Sequence, residues 1–253
     1  MEFEEKKTTL KIMIDETTQT DVQEDEENIK ITMEETKEQE QEQEEGDGRR
    51  IYNYCGEGWD NKYLSPHLLT TGYEAKLITN KLSFGIYSFH YFTDAFCDEL
   101  VKDLRNFDGW TKDRHGNYPT NDVLLHEYNP HLHEIYSTCL NNIVLPLVNT
   151  IYEGSTFKKE SFNHETFIVR YKPGVQNSLR LHHDASTFSV ILNLSQDEVD
   201  FKGGGTYFPQ HEALIKPPKG YLVVHPGKMT HWHGVRPITS GERYVIVSFC
   251  KDY

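Results

Sequence analysis

From Thr166 onward the chain is a series of short strand-like segments separated by turns, and this restricts the fold more than any other feature. Phe167–Tyr171, Thr187–Leu194, Thr206–Phe208, Tyr221–Val224 and Tyr244–Phe249 are rich in β-branched and aromatic residues and too short for ordinary helices. Gly203-Gly204-Gly205 and Pro217-Pro218-Lys219-Gly220 mark sharp turns. Phe188, Val190, Leu192 and Leu194 alternate with Ser189, Ile191, Asn193 and Ser195, the pattern of a half-buried strand. Ahead of the strands, Phe96, Leu100, Val101, Leu104 and Phe107 share one face of a helix over Asp94–Phe107, with Thr93 or Asp94 as its cap and Gly109 past its end. A second helix starts with Asn129 as cap and Pro130 in its first turn. Ile135, Tyr136, Cys139, Leu140, Ile143 and Val144 form its apolar face, and Pro146 is expected to bend or end it. Helices followed by many short strands predict a mainly β fold. The expected form is a double-stranded β-helix (jelly roll) with supporting N-terminal helices.

Charge divides the chain. Residues 1–50 hold 18 acidic against 7 basic residues, so most of the net charge of −14 sits there. The stretch ends in Glu38-Gln39-Glu40-Gln41-Glu42-Gln43-Glu44-Glu45, which cannot bury enough apolar surface to offset its ordering entropy. The expected organisation is an acidic disordered tail over 1–50 and one folded domain over 51–253. The near-neutral domain shows no basic stripe, which disfavours a nucleic-acid partner. No apolar run is long enough for a membrane span, and the N-terminus lacks the basic-then-apolar order of a secretory signal. Cys55, Cys97, Cys139 and Cys250 are scattered, without metal-site or redox spacing, and are expected to be isolated thiols in a reducing compartment.

The chemistry-bearing residues are His182 and Asp184, then a later histidine, then Arg243. In an extended segment, residues two apart point to the same side, so His182 and Asp184 can share a metal while His183 points away. His225, His231 and His233 compete for the third position, and spacing separates them only partly. His233 is chosen because His233–Arg243 reads as a hairpin that leaves Arg243 opening the next strand, on the face of Val245, Val247 and Phe249. An inward Arg there needs an anionic partner, since an unpaired buried charge is costly; the alternative is an outward, solvated Arg. Two imidazoles and a carboxylate on one face of a metal are the frame of a non-haem Fe(II) oxygenase. A guanidinium fork suits a carboxylate, here the far end of 2-oxoglutarate.

From about Trp59 to Tyr253 the sequence resembles the catalytic domain of the procollagen lysyl hydroxylases. The resemblance rests on Phe167-Ile168-Val169-Arg170-Tyr171-Lys172-Pro173, His182-His183-Asp184-Ala185-Ser186-Thr187-Phe188 and Val199-Asp200-Phe201-Lys202-Gly203-Gly204-Gly205. It continues through His225-Pro226-Gly227-Lys228-Met229-Thr230-His231-Trp232-His233, Gly241-Glu242-Arg243-Tyr244 and Val247-Ser248-Phe249. Weaker echoes are Trp59-Asp60-Asn61-Lys62-Tyr63, Phe96-Cys97-Asp98-Glu99-Leu100 and Pro119-Thr120-Asn121-Asp122. The resemblance implies iron on His182, Asp184 and His233. It implies that Arg243 clamps 2-oxoglutarate and that Tyr171 gives the cosubstrate a phenol hydrogen bond. Asn193 either faces the same cavity or is a polar outward strand residue. Fe(II), 2-oxoglutarate, O2 and L-ascorbate are the implied cofactors. The implied activity is hydroxylation of peptidyl lysine in collagen-like sequences, with a homodimer as the implied assembly.

Animal members act in the endoplasmic reticulum and carry glycosyltransferase-like domains and a secretory signal. This chain reads instead as a stand-alone catalytic domain of the cytoplasm or a viral factory. Thr206 stands where the animal enzymes usually have Cys. The same frame serves hydroxylases of other targets, such as peptidyl proline, so that chemistry is the alternative function. A non-catalytic jelly-roll binding module is the third reading.

Overall fold

The computed structural model describes residues 50–71, 74, 79–112 and 114–252. The acidic segment expected to be disordered lies outside the described residues, apart from Arg50.

The helices come first: α1 (Glu57–Tyr63), α2 (Pro66–Thr70), α3 (Asp94–Arg105), α4 (Leu125–Tyr128), α5 (Pro130–Cys139) and α6 (Leu145–Ile151). Among them lie β1 (Asn80–Ser83), β2 (Ile86–His90) and β3 (Asp122–Leu124). Then follow β4 (Phe162–Tyr171), β5 (Leu179–His182), β6 (Phe188–Asn193), β7 (Phe201–Gly203) and β8 (Thr206–Phe208). The described chain continues with β9 (Ala213–Ile215), β10 (Tyr221–Pro226), β11 (His233–Val235), β12 (Ile238–Gly241) and β13 (Arg243–Asp252). No helix among the described residues is long and apolar enough to cross a membrane.

The strands form a larger sheet ordered β1-β2-β10-β6-β13-β4-β3, a smaller one ordered β5-β11-β8-β9, and the pair β12-β7. Every named strand pairing is antiparallel. This two-sheet arrangement is the jelly roll expected from the sequence. One face of the larger sheet packs against the helices. Phe188, Val190, Leu192, Leu222, Val224, Tyr244 and Ile246 join Phe96, Leu100, Leu104, Leu132, Tyr136 and Val148 in one apolar core. The other face carries Phe167, Val169, Tyr171, Ile191 and Val245, which pack with Phe201, Val235 and Ile238.

Four expectations need correction. The strand β6 is buried at all six positions rather than on one face, because helices cover one side and the second sheet the other. His233–Arg243 is not a hairpin: β11 pairs with β5 and β8, β12 pairs with β7, and β13 enters the larger sheet. The turn before β13 is possible because Gly241 adopts φ +74°, and a Cβ there would lie 2.0 Å from Asp200 O. The second helix does not stop near Pro146. It widens into a π turn over Leu140–Val144 and resumes as α6, with Pro146 in the first turn, where its missing N–H costs little. Asn129 caps α5 by accepting from Leu132 N–H, but the Thr93 hydroxyl donates to Lys62 O instead of capping α3.

Candidate metal and cosubstrate site

The smaller sheet carries the metal-type side chains. His182 ends β5 and His233 opens β11, and the two are direct cross-strand partners, so one register brings both imidazoles to one place. Their ring centroids are 4.5 Å apart. Asp184 follows two residues after His182, with its N–H bonded to Gly227 O at 2.8 Å. Gly227 N–H in turn donates to Thr187 O, and a Cβ at Gly227 would lie 1.9 Å from Ser186 Oγ. Only glycine allows that close crossing, which fixes the segment bearing Asp184.

One ligand atom from each of His182, Asp184 and His233 lies within 4.8 Å of the others, and all three residues are buried. Both imidazoles are held from behind: His182 Nδ1 lies 2.8 Å from Arg180 O, and His233 Nδ1 lies 2.9 Å from His231 O. A carbonyl can only accept, so each Nδ1 donates a proton and each Nε2 is the ring nitrogen turned toward Asp184. Those Nε2 atoms stand 3.4 Å and 3.7 Å from Asp184 Oδ1, while Asp184 Oδ2 accepts from Ser189 Oγ. Burial would raise the Asp184 carboxyl, but His233, His182, His225 and Ser189 outweigh it and hold it below the usual carboxylate range. Burial keeps His233 low, against the pull of Asp184. The result is two imidazoles and one carboxylate, each oriented by a hydrogen bond, which is the donor set that fits Fe(II).

The larger sheet faces this triad. Arg243 opens β13 directly opposite Tyr171 at the end of β4, and both are 3% exposed. Arg243 Cζ lies 5.6 Å from the Tyr171 ring and 5.9 Å from the Phe201 ring, while Nη1 is buried without a hydrogen-bond partner. Burial lowers the guanidinium pKa, opposed by Tyr171 and Asp197. Burial also pushes the Tyr171 phenol up to about 12, opposed by Arg243, so the hydroxyl keeps its proton and can donate. A cavity of about 290 Å³ joins the triad to Arg243 and Tyr171, between apolar walls that include Val169, Ile191, Val235 and Val245.

Asn193 does not line this cavity. Its carboxamide donates 2.8 Å bonds to Ser195 O and to Pro217 O, which turns it to the loop crossings at the strand end. His183 is exposed and rests on Trp232, with ring centroids 5.6 Å apart. His231 is tied to Phe84 O, and His225 packs beside His233 with centroids 4.7 Å apart; neither joins the triad. The four cysteines are free.

Sequence reasoning missed the segment that walls the cavity ahead of β3: His115, Gly116, Asn117, Tyr118 and Thr120. The Tyr118 ring sits 5.2 Å from that of His182. Arg180 donates to Asn117 O at 3.0 Å, and Gln176 bonds Pro119 O and Asn121 N–H. The available signal was the Pro119–Asp122 motif, which carried no assigned role.

Residues 166–251 match the profile of the 2OG-Fe(II) oxygenase superfamily. The chain is 35% identical over 203 residues to Procollagen-lysine,2-oxoglutarate 5-dioxygenase 1 of Gallus gallus, covering 76% of this chain and 27% of that protein. It is 31% identical over 201 residues to the multifunctional procollagen lysine hydroxylase and glycosyltransferase of Homo sapiens, covering 76% of this chain and 27% of that protein. Among solved structures, a prolyl hydroxylase of Trichoplax adhaerens in complex with a hypoxia inducible factor peptide fragment superposes with a TM-score of 0.57. That likeness has 14% identity, covers 74% of this chain and 94% of that one, and concerns the fold alone.

Proposed function

Since the chain carries a domain of the 2OG-Fe(II) oxygenase superfamily and spans about a quarter of the length of lysyl hydroxylases similar to it, we propose that it hydroxylates peptidyl lysine in collagen-like sequences. The observation that carries this reading is the pairing, across one cavity, of the His182–Asp184–His233 triad with a buried arginine that has an unpartnered nitrogen.

In this reading, His182 Nε2, Asp184 Oδ1 and His233 Nε2 hold Fe(II). The Arg243 guanidinium receives the distal carboxylate of 2-oxoglutarate, where a charge-assisted pair in a dry pocket is strong. The Tyr171 hydroxyl donates a second hydrogen bond to the same ligand. The apolar walls exclude water, which protects a reactive centre from side reactions. Fe(II), 2-oxoglutarate and O2 bound here would supply oxidative decarboxylation coupled to hydroxylation of an unactivated C–H bond, with L-ascorbate as auxiliary reductant. The protein therefore contributes binding, orientation and exclusion rather than an acid/base pair.

The test is an assay with purified protein, Fe(II), ascorbate, 2-oxoglutarate and a Gly-X-Lys collagen-like peptide. Succinate and one added oxygen on lysine, located by fragment mass spectrometry, are the expected results. His182→Ala and Asp184→Ala should abolish both bound iron and succinate. Normal turnover in either variant would reject the metal assignment, and oxygen on proline would reject the substrate.

A further inference from the structure

The central cavity does not end at the triad. A second cavity of about 440 Å³ shares His183, Asp184 and Ala185 with it and continues past Ser186 and Thr187 to Lys228, Met229 and Lys251. The two cavities therefore adjoin along His183–Ala185, and the second forms a groove beside the metal-type centre. Its floor is fixed: Asp184 N–H bonds Gly227 O, Thr187 N–H bonds Cys250 O, and Ser186 Oγ bonds Ser189 Oγ.

The far end of the groove is positively charged. Lys62, Lys172, Lys216 and Lys219 each sit in an ion pair, whereas Lys228 and Lys251 have none among the described side chains. Among the described residues, Asp184 is the only carboxylate lining either cavity, and it belongs to the triad. Two ammonium groups without counter-charges, beside the exposed thioether of Met229, suit a ligand with an apolar body and a carboxylate. The three residues from Asp184 to Thr187 span at most about 10 Å. An extended peptide rises about 3.3 Å per residue, so that limit corresponds to at most about three residues of substrate.

Resting on the peptidyl hydroxylase reading, we propose that this groove receives one flank of the peptide, and that Lys228 and Lys251 select an Asp or Glu within about three residues of the hydroxylated position. The pairing is solvent-facing, so it acts on binding rather than chemistry and weakens with salt.

The test is a set of Gly-X-Lys peptides with Glu, Gln or Lys placed in turn at each flanking position, assayed at low and high salt. At one position on one side, Glu should lower KM about threefold to tenfold relative to Lys, leave kcat nearly unchanged, and lose most of this advantage at high salt. The double variant Lys228→Glu/Lys251→Glu should invert the preference, and Lys228→Gln/Lys251→Gln should flatten it. Hydroxylation that is indifferent to flanking charge overturns the inference while leaving the hydroxylase reading intact. A preference that survives both double variants also overturns it. So does a variant that changes sedimentation between dimer and monomer without changing the preference, because the groove is then a contact between copies. Failure to hydroxylate any peptide in the set overturns the hydroxylase reading and this inference with it. The wild-type peptide series stands even if a variant does not fold.

Discussion

Arg243 shows how a binding requirement sets itself against stability. Its charge is buried at 3% exposure, beside aromatic rings and with Nη1 unpartnered. Replacing buried ionic groups by apolar side chains of similar volume ranges from neutral to stabilising by about 1–4 kcal/mol, and an unpartnered buried charge is the costlier starting point. Arg243→Met is therefore expected to raise the melting temperature of the ligand-free protein by roughly 2–10 °C while removing 2-oxoglutarate dependence and sparing iron binding. Calorimetry and iron analysis of the two proteins check this, and a lower melting temperature would mean that Arg243 is held by a structural partner. At this scale much was legible: strand parity placed His182 and Asp184 on one side, and Arg243 reads inward from the residues after it. The cross-strand pairing of His182 with His233 could not be read, because it is set by a contact 51 residues apart in the chain. Nor could the fate of Asn193, whose amide is captured by carbonyls of two loops.

Elements were legible where periodicity was strong and illegible where the environment overrode it. The helix α3 follows its apolar stripe to within two residues at its end. The both-sided burial of β6 could not come from its alternating sequence, since the Ser189 hydroxyl and the Asn193 amide nitrogen find acceptors inside, on Asp184 and on the carbonyls of Ser195 and Pro217. The packing of α5 against β4 brings His133 and His164 together, with ring centroids 5.6 Å apart. Burial, then His133, lowers the His164 pKa to about 4 from an ordinary 6.5. Burial, then His126, lowers His133. A folded-state pKa below the unfolded value means that the unfolded chain binds more protons between the two, so stability falls as pH drops through that window. The urea midpoint of the wild type should therefore decline from about pH 6.5 toward pH 4, with Asp184 and Glu242, whose carboxyls are held low in the folded state, adding to the loss at the acid end. His164→Asn should shallow the upper part of that decline. Equal slopes for the two proteins would show that this pair contributes nothing to it.

At the scale of the molecule, each sheet supplies one wall of the site: the smaller brings His182 and His233, with Asp184 just past its strand β5, and the larger brings Arg243 and Tyr171. A ligand gripping both walls binds the folded state alone and must stabilise it. At one hundred times its dissociation constant, that linkage is worth about 2.7 kcal/mol. Anaerobic Fe(II) with 2-oxoglutarate should thus raise the melting temperature by about 5–10 °C, and in Arg243→Ala only the smaller shift given by Fe(II) alone should remain. The two-sheet architecture could be inferred from the run of short strands. The strand order could not, because it depends on pairings distant in sequence.

That order has a consequence for how the protein is made. The strand β13 lies between β6 and β4 in the larger sheet, yet follows both in the chain. As synthesis proceeds, the sheet keeps an open slot at its centre, flanked by two unpaired strand edges, until Arg243–Asp252 leaves the ribosome. Such edges invite pairing with other chains, and contacts this distant in sequence close slowly. The sheet is thus most exposed to aggregation just before β13 arrives, and the residue assigned to grip 2-oxoglutarate arrives on that strand. No cosubstrate can chaperone the earlier stages.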